Sequence, residues 1–273
     1  MSLPRAAPLS VSNRSFLSER PVLCSGVTGR DRTASVGFGG KGRNGARALK
    51  TVSDFSKDVG PAESDGRLDA PAFHRNAEPL REVLTAVLAG RSGDVVEIGS
   101  GTGQHAVFLG AAFPDLVFWP TDPNVGHVAS VDAWRRQVDS PNVMPASQLD
   151  VRHPWLIGGK PIAQESLTAI LCFNVIHIAP WDVALAVLSS AGKLLRSDGF
   201  LILYGPYSRD GEHTAPSNAT FDQTLKARNP AWGVRDLTDV TAAAQEAGLV
   251  RKTIFEMPAN NLTVVFQPGR SSD

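Results

Sequence analysis

The sequence predicts an α/β fold in which a mostly parallel sheet is covered by helices on both faces. Strand-like and helix-like segments alternate from about residue 90, a glycine-rich turn follows the first of these strands, and two closely spaced strands end the pattern. Such alternation is typical of parallel strands buried between helices. The last two strands must pair in antiparallel fashion, because a parallel return needs a long crossover. We therefore expect a seven-stranded sheet with a C-terminal antiparallel hairpin.

Each element is predicted from the spacing of its apolar residues. The first helix has Pro79 in its first turn and ends at Gly90. A turn at residues 198–199 separates the predicted helix 181–195 from the strand after it. The predicted strands are 94–98, 116–121, 143–148, 167–173, 200–204, 250–256 and 262–266. The predicted helices after the first are 104–113, 125–138, 181–195, 220–228 and 237–247.

Residues 1–70 are predicted to be a disordered extension, which leaves residues 71–273 as the folded domain. The extension is rich in Ser, Arg, Gly and Pro, and its apolar residues have neither helical nor strand spacing. Its first 50 residues contain nine Lys or Arg and two acids, which is typical of an organellar transit peptide. A disordered tail or a mis-assigned start codon is the alternative. The expected location is intracellular, either the cytoplasm or, with a transit peptide, a mitochondrion or plastid.

Charge and composition narrow the classes of partner. Removing the first 50 residues from the totals of 27 basic and 27 acidic residues leaves 18 and 25, so the folded part is acidic. A duplex nucleic acid would need a basic surface, so a nucleic-acid partner is not expected. No apolar run reaches 18 residues, so no membrane span is expected. The two cysteines and the spacing of the histidines and carboxylates predict no metal site.

The glycine-rich turn follows the first strand and reads EIGSGTGQHA over residues 97–106. Glycines suit this position because the chain reverses tightly and its backbone approaches a ligand without an intervening Cβ. Residues 101–106 satisfy the G-x-G-x-x-A dinucleotide fingerprint, with Asp122 about twenty residues further on for a ribose hydroxyl. The alternative ligand is S-adenosylmethionine, which has an ammonium and a sulfonium and no phosphate.

Glu97 favours S-adenosylmethionine. A carboxylate at the end of an apolar strand is costly to bury unless it has a partner, and a pyrophosphate at this position would repel it. The E-x-G-x-G-x-G pattern formed by Glu97, Gly99, Gly101 and Gly103 resembles motif I of class I S-adenosylmethionine-dependent methyltransferases. The resemblance implies a Rossmann-like fold that binds this cofactor, and the terminal hairpin is typical of that fold.

The same resemblance implies roles for several polar side chains. Asp122 would bind the ribose hydroxyls and Asp150 would lie near the adenine amino group, although a turn aspartate and a solvated loop carboxylate are the respective alternatives. Asn174 would bind the amino-acid moiety of the cofactor or cap its loop. Arg75 and Asn76 could fold over the cofactor carboxylate, and a helix entry with a solvated arginine is the alternative.

Longer segments resemble one branch of this class. Residues 72–268 are similar to the methyltransferase-like 26 family, which is widespread and poorly characterised, and for which the resemblance supplies no acceptor. The segments that resemble it are RN (75–76), GTGQHA (101–106), NVIHIAPW (174–181), LYGPY (203–207), PSN (216–218), WGVRD (232–236) and MPANNL (257–262).

His177 is the candidate catalytic residue. Methyl transfer is an in-line displacement for which a base is optional, and His177 follows the fourth strand, where an imidazole of ordinary pKa could accept a proton near neutral pH. A histidine that only shapes its loop is the alternative. Arg235 and Asp236 are interpreted as a rim ion pair. The expected acceptor contacts lie in the long polar loop at 206–218, namely Tyr207, His213, Ser217 and Asn218, of which Asn218 could instead cap a helix.

The sequence leaves three functions open. The leading hypothesis is methyl transfer from S-adenosylmethionine to a small-molecule acceptor, because the domain is acidic and an Asn-Pro-Pro-aromatic motif is absent after the fourth strand. An NAD(P)-dependent oxidoreductase is the second. The third is a non-catalytic module that binds S-adenosylmethionine and acts through a protein partner.

Overall fold

The protein, as a computed structural model, is described for residues 63–269. The predicted disordered extension or transit peptide covers residues 1–70, and its residues 1–62 lie outside this range. The α-helices within it are α1 Pro71–Leu88, α2 Gln104–Ala112, α3 Val125–Val138, α4 Trp181–Leu194, α5 Pro216–Arg228 and α6 Leu237–Glu246. The strands within it are β1 Gly93–Ile98, β2 Leu116–Asp122, β3 Ser147–Gln148, β4 Leu156–Ile157, β5 Lys160–Pro161, β6 Leu167–Phe173, β7 Leu195–Arg209, β8 Glu212–His213, β9 Arg235–Asp236, β10 Leu249–Met257 and β11 Asn261–Pro268.

The main sheet confirms the predicted fold class. Its seven principal strands follow the order β3-β2-β1-β6-β7-β11-β10. The first five are parallel to one another, whereas β11 is antiparallel to both β7 and β10. The short strands β8 and β9 pair with the last residues of β7, and β4 and β5 form a separate hairpin. The parallel strands therefore end at one edge, where β1, β2 and β6 bring their loops together.

Helices pack on both faces of the sheet. Successive side chains of a strand point to opposite faces, and those of the central strands are buried on both. In β1, Val96 and Ile98 face a core that includes α4 and α6, and Val95 faces a second core that includes α1 and α2. Every residue of β6 is buried, as expected for a central parallel strand. Within residues 63–269, every helix is too short or too polar to cross a membrane.

Several elements differ from the sequence prediction, and helix α5 begins at Pro216 instead of residue 220. Helix α1 begins at Pro71, so Pro79 lies in its interior and not in its first turn, and burial of Asn76, Ala77 and Leu80 around this position stabilises the longer helix. The predicted turn at 198–199 is part of β7, where residues 196–199 bulge between two paired positions. The predicted strand at 143–148 is reduced to β3 and one isolated bridge at Val143.

Candidate functional site

The glycine turn between β1 and α2 has the conformation that only glycine adopts easily. Gly99, Gly101 and Gly103 all have positive φ, at 65°, 56° and 89°. A Cβ at Gly99 would lie 2.6 Å from a methyl of Val175, and one at Gly103 would lie 2.5 Å from the Cα of Val131. The turn therefore packs directly against the loop after β6 and against α3. Gly101 has room for a Cβ, so only its conformation requires glycine there.

Glu97 is buried at the end of β1, directly before this turn. Among the described residues, its Oε2 has no hydrogen-bond partner. Burial raises the pKa of Glu97 to about 8, the charge of Asp122 adds to the rise, and the Ser100 hydroxyl opposes it. The carboxyl group is therefore neutral at pH 7 until a cation approaches. An unpartnered buried carboxyl fits a ligand that has an ammonium group, as S-adenosylmethionine has.

Asp122, at the end of β2, fixes the glycine turn from the side. Its Oδ2 accepts a hydrogen bond of 2.9 Å from the backbone N–H of Gly101, and its Oδ1 accepts one of 2.8 Å from that of Asn124. The Nδ1 of His127, in the first turn of α3, lies 3.2 Å from Oδ1. The hydrogen bond with Asp122 raises the pKa of His127. Asp122 is thus a turn residue, and its contact with a ribose stays a prediction. Sequence analysis missed His127.

Asp150, after β3, is engaged by a neighbouring arginine. Its Oδ2 lies 2.6 Å from the guanidinium of Arg152, and its Oδ1 accepts a second hydrogen bond of 2.9 Å from Arg152 Nε. This hydrogen bonding is the main cause that lowers the pKa of Asp150. Arg152 also lies 3.4 Å from Asp182. Both oxygens of Asp150 therefore interact with Arg152. The sequence could have indicated this pair, because the two residues are only two positions apart. The adenine contact stays a prediction.

The loop after β6 contains the two other central candidates. Asn174 has a left-handed backbone with φ of 57°, and its N–H donates to the carbonyl of Tyr204 over 2.8 Å. His177 is buried, and within residues 63–269 its Nδ1 has no hydrogen-bond partner. A Cβ at Gly205 would lie 3.0 Å from this nitrogen, so the His177 ring can pack in its observed position only because residue 205 has no side chain.

The expectation of an ordinary pKa for His177 is wrong. Burial, aided by the charge of Arg235, lowers the pKa of His177 to about 3, so the imidazole is neutral throughout the physiological range. A group with this pKa is a weak proton acceptor, but its lone pair or N–H can still orient a ligand. Sequence analysis could not foresee this shift, because it arises from packing and from a side chain 58 positions away.

Arg235 is a clamp on the His177 loop and not the predicted rim ion pair. Its guanidinium donates to the carbonyls of Ile176 and Ala179 over 3.0 and 2.6 Å. The N–H of Gly233 donates to the carbonyl of His177 over 3.0 Å. The predicted partner, Asp236, instead accepts from the Ser208 hydroxyl and from the N–H groups of Gly211 and Thr238.

Arg75 and Asn76 differ in environment. Arg75 is exposed, which leaves its guanidinium accessible, whereas Asn76 is buried. The Oδ1 of Asn76 lies 2.9 Å from His105 Nε2, and the Asn76 side chain also opposes the rise that burial causes in the pKa of the Tyr204 hydroxyl. Burial lowers the pKa of His105 to about 4, so this histidine is neutral as well. Asn76 therefore holds neighbouring side chains together, and sequence analysis assigned no role to His105 and Tyr204.

Tyr207 is not in a polar loop. Strand β7 continues to Arg209, so Tyr207 lies in the sheet with its ring in the apolar core and 1% of its surface exposed. Its hydroxyl has no hydrogen-bond partner among the described residues, and burial raises the pKa of that hydroxyl. Tyr207 is therefore not exposed in a loop, where its contact with the acceptor was predicted.

The other three acceptor candidates lie around the start of α5. His213 Nε2 is 3.4 Å from Asp222, and the Ser217 hydroxyl accepts from the side-chain amide of Asn260 over 3.3 Å. Asn218 does not cap the helix, because α5 begins at Pro216. Its buried amide instead donates over 3.0 Å to Thr214 Oγ1 and to the carbonyl of Asn260. Asn218 therefore ties α5 to the hairpin.

Two cavities, each of about 410 Å³, lie away from the glycine turn. One is lined by residues of β7, β9 and α6, and the other lies beside β10 and the end of β11. None of the predicted cofactor residues lines either cavity. The residues that the structure does bring together are Glu97, the three glycines and Asp122, with Asn174 and His177 on the adjacent loop.

The sheet order defines the Rossmann-like fold of class I methyltransferases, and solved structures with this fold are similar to this chain. An O-methyltransferase family protein from Burkholderia thailandensis is 15% identical with a TM-score of 0.59, over 74% of this chain and 58% of that one. Mitomycin 7-O-methyltransferase MmcR is 16% identical with a TM-score of 0.59, over 71% and 54%. CalO1, a methyltransferase in calicheamicin biosynthesis in its SAH-bound form, is 15% identical with a TM-score of 0.55, over 71% and 54%. The chain thus spans somewhat more than half the length of these proteins.

The chain belongs to the family described as Protein of unknown function (DUF938). The model of that family matches residues 67–268, which includes the entire sheet and the glycine turn. The match begins four residues before α1.

Proposed function

We propose that the protein is a methyltransferase that uses S-adenosylmethionine, and that Glu97 receives the positively charged end of this cofactor. The observation that supports the proposal is the buried carboxyl of Glu97, whose Oε2 has no partner among the described residues and which directly precedes three left-handed glycines. A cation beside this group would restore its ionised form and satisfy its oxygen. A pyrophosphate at the same place would oppose ionisation of the Glu97 carboxyl instead of favouring it, which disfavours the oxidoreductase alternative.

Further residues are proposed to contact the cofactor. The three glycines allow its close approach, Asp122 binds the ribose hydroxyls, and Asp150 lies near the adenine. Asn174 and Arg75 hold the amino-acid moiety, with the exposed guanidinium of Arg75 free to form a bidentate pair with its carboxylate. Asn76 supports this region through His105 and Tyr204. These assignments derive from the resemblance to class I methyltransferases and, for the residues that end or follow a parallel strand, from their position at the carboxyl edge of the sheet.

S-adenosylmethionine supplies an activated methyl group when bound, so the chain has to align the acceptor and exclude water. His177 is proposed to orient the acceptor, because its buried ring lies in the loop after β6 and its Nδ1 has no partner within residues 63–269. With a pKa of about 3, His177 accepts a hydrogen bond from an acceptor hydroxyl or amine more readily than it takes up the proton. Arg235 keeps the histidine loop in place through two carbonyls.

The acceptor is proposed to be a small molecule. The acidic balance of the chain after residue 50 disfavours a polyanion, and the printed names of two similar structures, mitomycin 7-O-methyltransferase and a calicheamicin methyltransferase, refer to small-molecule chemistry. The catalytic domain is proposed to cover residues 71–273. The finer resemblance to the methyltransferase-like 26 family is consistent with this proposal and rests on the sequence motifs alone.

Calorimetric titration tests the proposal. The full-length protein is titrated with S-adenosylmethionine, S-adenosylhomocysteine and NAD, and so are Glu97→Gln and the control Glu82→Gln, which alters an exposed carboxylate on α1. We expect micromolar binding of the first two ligands, at least tenfold weaker in Glu97→Gln and unchanged in Glu82→Gln. Binding of NAD alone would support the oxidoreductase instead. Cofactor binding without turnover on a broad acceptor panel would favour the non-catalytic module.

A further inference from the structure

Four residues before α1, Arg67 to Ala70, form a segment that we call the strap. The N–H of Leu68 donates to Ser130 Oγ over 2.9 Å, and its carbonyl accepts from Trp134 Nε1 over 2.9 Å. The N–H of Ala70 donates to Gln104 Oε1 over 2.8 Å. The strap is therefore fastened to α2 and α3, although its composition predicted an extension outside the fold.

The side chains of the strap reinforce this attachment. Asp69 Oδ1 accepts from Gln104 Nε2 over 2.7 Å and also lies 2.7 Å from His74 Nε2. The guanidinium of Arg67 lies over the ring of Trp134, 4.6 Å from its centre. Every residue of the strap thus contacts one of the helices α1, α2 and α3.

Two of the residues that hold the strap also hold the glycine turn. Gln104 Oε1 accepts a second hydrogen bond, of 2.9 Å, from the hydroxyl of Thr102. Ser130 Oγ donates to the carbonyl of the same Thr102 over 2.8 Å. Gln104, Ser130 and Thr102 are all buried. The hydroxyl and the carbonyl of Thr102, which lies between Gly101 and Gly103, are therefore bound by the side chains that fasten the strap.

This shared network joins the strap to the conformation of the turn. Opening the strap would leave the buried Gln104 amide and Ser130 hydroxyl short of partners, and these two groups would then reorient toward other donors and acceptors. Thr102 would lose its fixed supports at the same time. Because its neighbours are glycines with wide conformational freedom, the turn has little intrinsic preference for its observed shape.

We propose that the strap is a positioning segment of the cofactor site, which keeps the glycine turn in its binding conformation so that cofactor affinity depends on strap closure. The inference rests on the proposed function in so far as the ligand is S-adenosylmethionine. Linkage is reciprocal, so a ligand that binds only the ordered turn also stabilises the closed strap by the same factor.

The test uses full-length variants that loosen the strap without changing the turn or its supports. Trp134→Phe removes the bond to the Leu68 carbonyl, and Ala70→Pro removes the N–H that Gln104 accepts. The two changes are combined in one variant. Trp119→Phe is the matched control, because it removes the indole hydrogen bond that Trp119, on β2, donates to Asp94, on β1. Backbone amide hydrogen exchange and S-adenosylhomocysteine affinity are measured for each protein.

In the double variant, we expect the Leu68 amide to exchange at least tenfold faster and S-adenosylhomocysteine to bind about tenfold more weakly. In the wild-type protein, the same ligand should slow exchange of this amide, and Trp119→Phe should match the wild type in both measurements. Faster strap exchange with unchanged affinity would overturn the proposal, and so would strap exchange that the double variant does not alter.

The proposed function can fail independently of this inference. If the wild-type protein binds no S-adenosylhomocysteine, the proposed function is refuted, and the strap is tested in the ligand-free protein through the amides of Thr102 and Gly103. Faster exchange of these two amides in the double variant, and not in Trp119→Phe, supports the link between strap and turn. Unchanged exchange at both would overturn it.

Discussion

The backbone N–H of Gly101 donates a 2.9 Å hydrogen bond to the carboxylate of Asp122, which joins the glycine turn to the end of the neighbouring strand. The same carboxylate accepts from the N–H of Asn124 at the entry to α3. Asp122 therefore shapes the proposed site before any ligand binds. A change at this residue affects both the scaffold and the proposed ribose contact, and the two effects can be measured separately.

Replacing Asp122 with alanine is expected to weaken S-adenosylhomocysteine binding by roughly 1–3 kcal/mol, because charge-assisted hydrogen bonds to the ribose are lost. The free energy of unfolding should also fall by about 1–2 kcal/mol, since the N–H groups of Gly101 and Asn124 lose their acceptor. Calorimetry and urea unfolding measure the two effects. Unchanged affinity in a folded Asp122→Ala protein would remove Asp122 from the cofactor site.

The buried carboxyl of Glu97 predicts an unusual dependence of stability on pH. Its pKa is raised from 4.5 to about 8, so between these values the native protein binds a proton that the unfolded chain has released. This contribution to stability is complete below pH 4.5 and is lost as pH rises toward 8. Relative to Glu97→Gln, the wild-type free energy of unfolding should fall by roughly 1 kcal/mol per pH unit over this range. Urea unfolding at several pH values measures it, and a constant difference would contradict the raised pKa.

The glycines of the turn are expected to differ in their tolerance of alanine. Gly103→Ala places a Cβ 2.5 Å from the backbone of Val131 in addition to its strained φ, so it should cost about 3 kcal/mol or more. Gly101→Ala meets no atom closer than 4.0 Å and should cost only about 1–2 kcal/mol of backbone strain. Denaturant unfolding of both variants provides the comparison. Equal losses would mean that the turn does not pack against α3 as described.

Removal of the Arg235 guanidinium should loosen the His177 loop. Arg235→Gln leaves the carbonyls of Ile176 and Ala179 without their donor. The free energy of unfolding should therefore fall by about 1–3 kcal/mol. The pKa of His177 should rise, because a nearby positive charge is removed, and should stay below its ordinary value because the ring remains buried. Nitrogen NMR of the histidine rings measures this shift. Arg251→Gln, an exposed arginine on β10, is the control and should leave the His177 signal unchanged.

Much of the fold could be predicted because its pattern is local. The limits of α3 and β6 match the predicted 125–138 and 167–173, since hydrophobic period and turn residues determine these elements. The interior Pro79 and the long β7 were missed, because burial against distant elements overrides local preference there. Tyr207 was accordingly assigned to a loop.

The site could be predicted only where a motif defines it. The position of Glu97 and the three glycines followed from their spacing, and the structure places them together with Asp122. The strap and the Arg235 clamp could not be foreseen, because each depends on contacts between segments more than 30 residues apart in the chain. The neutrality of His177 depends on burial, which a sequence does not reveal.

The most direct test of the central claim, that Glu97 receives the cationic end of the cofactor, is the number of protons released when S-adenosylhomocysteine binds at pH 7. Calorimetry in buffers of different ionisation enthalpy gives this number for the wild type and for Glu97→Gln. The pKa of Glu97 is about 8 in the ligand-free protein, so its carboxyl group is protonated at pH 7. An approaching ammonium should therefore release close to one proton from the wild type and none from Glu97→Gln. Tight binding with the same proton count in both proteins would contradict the claim.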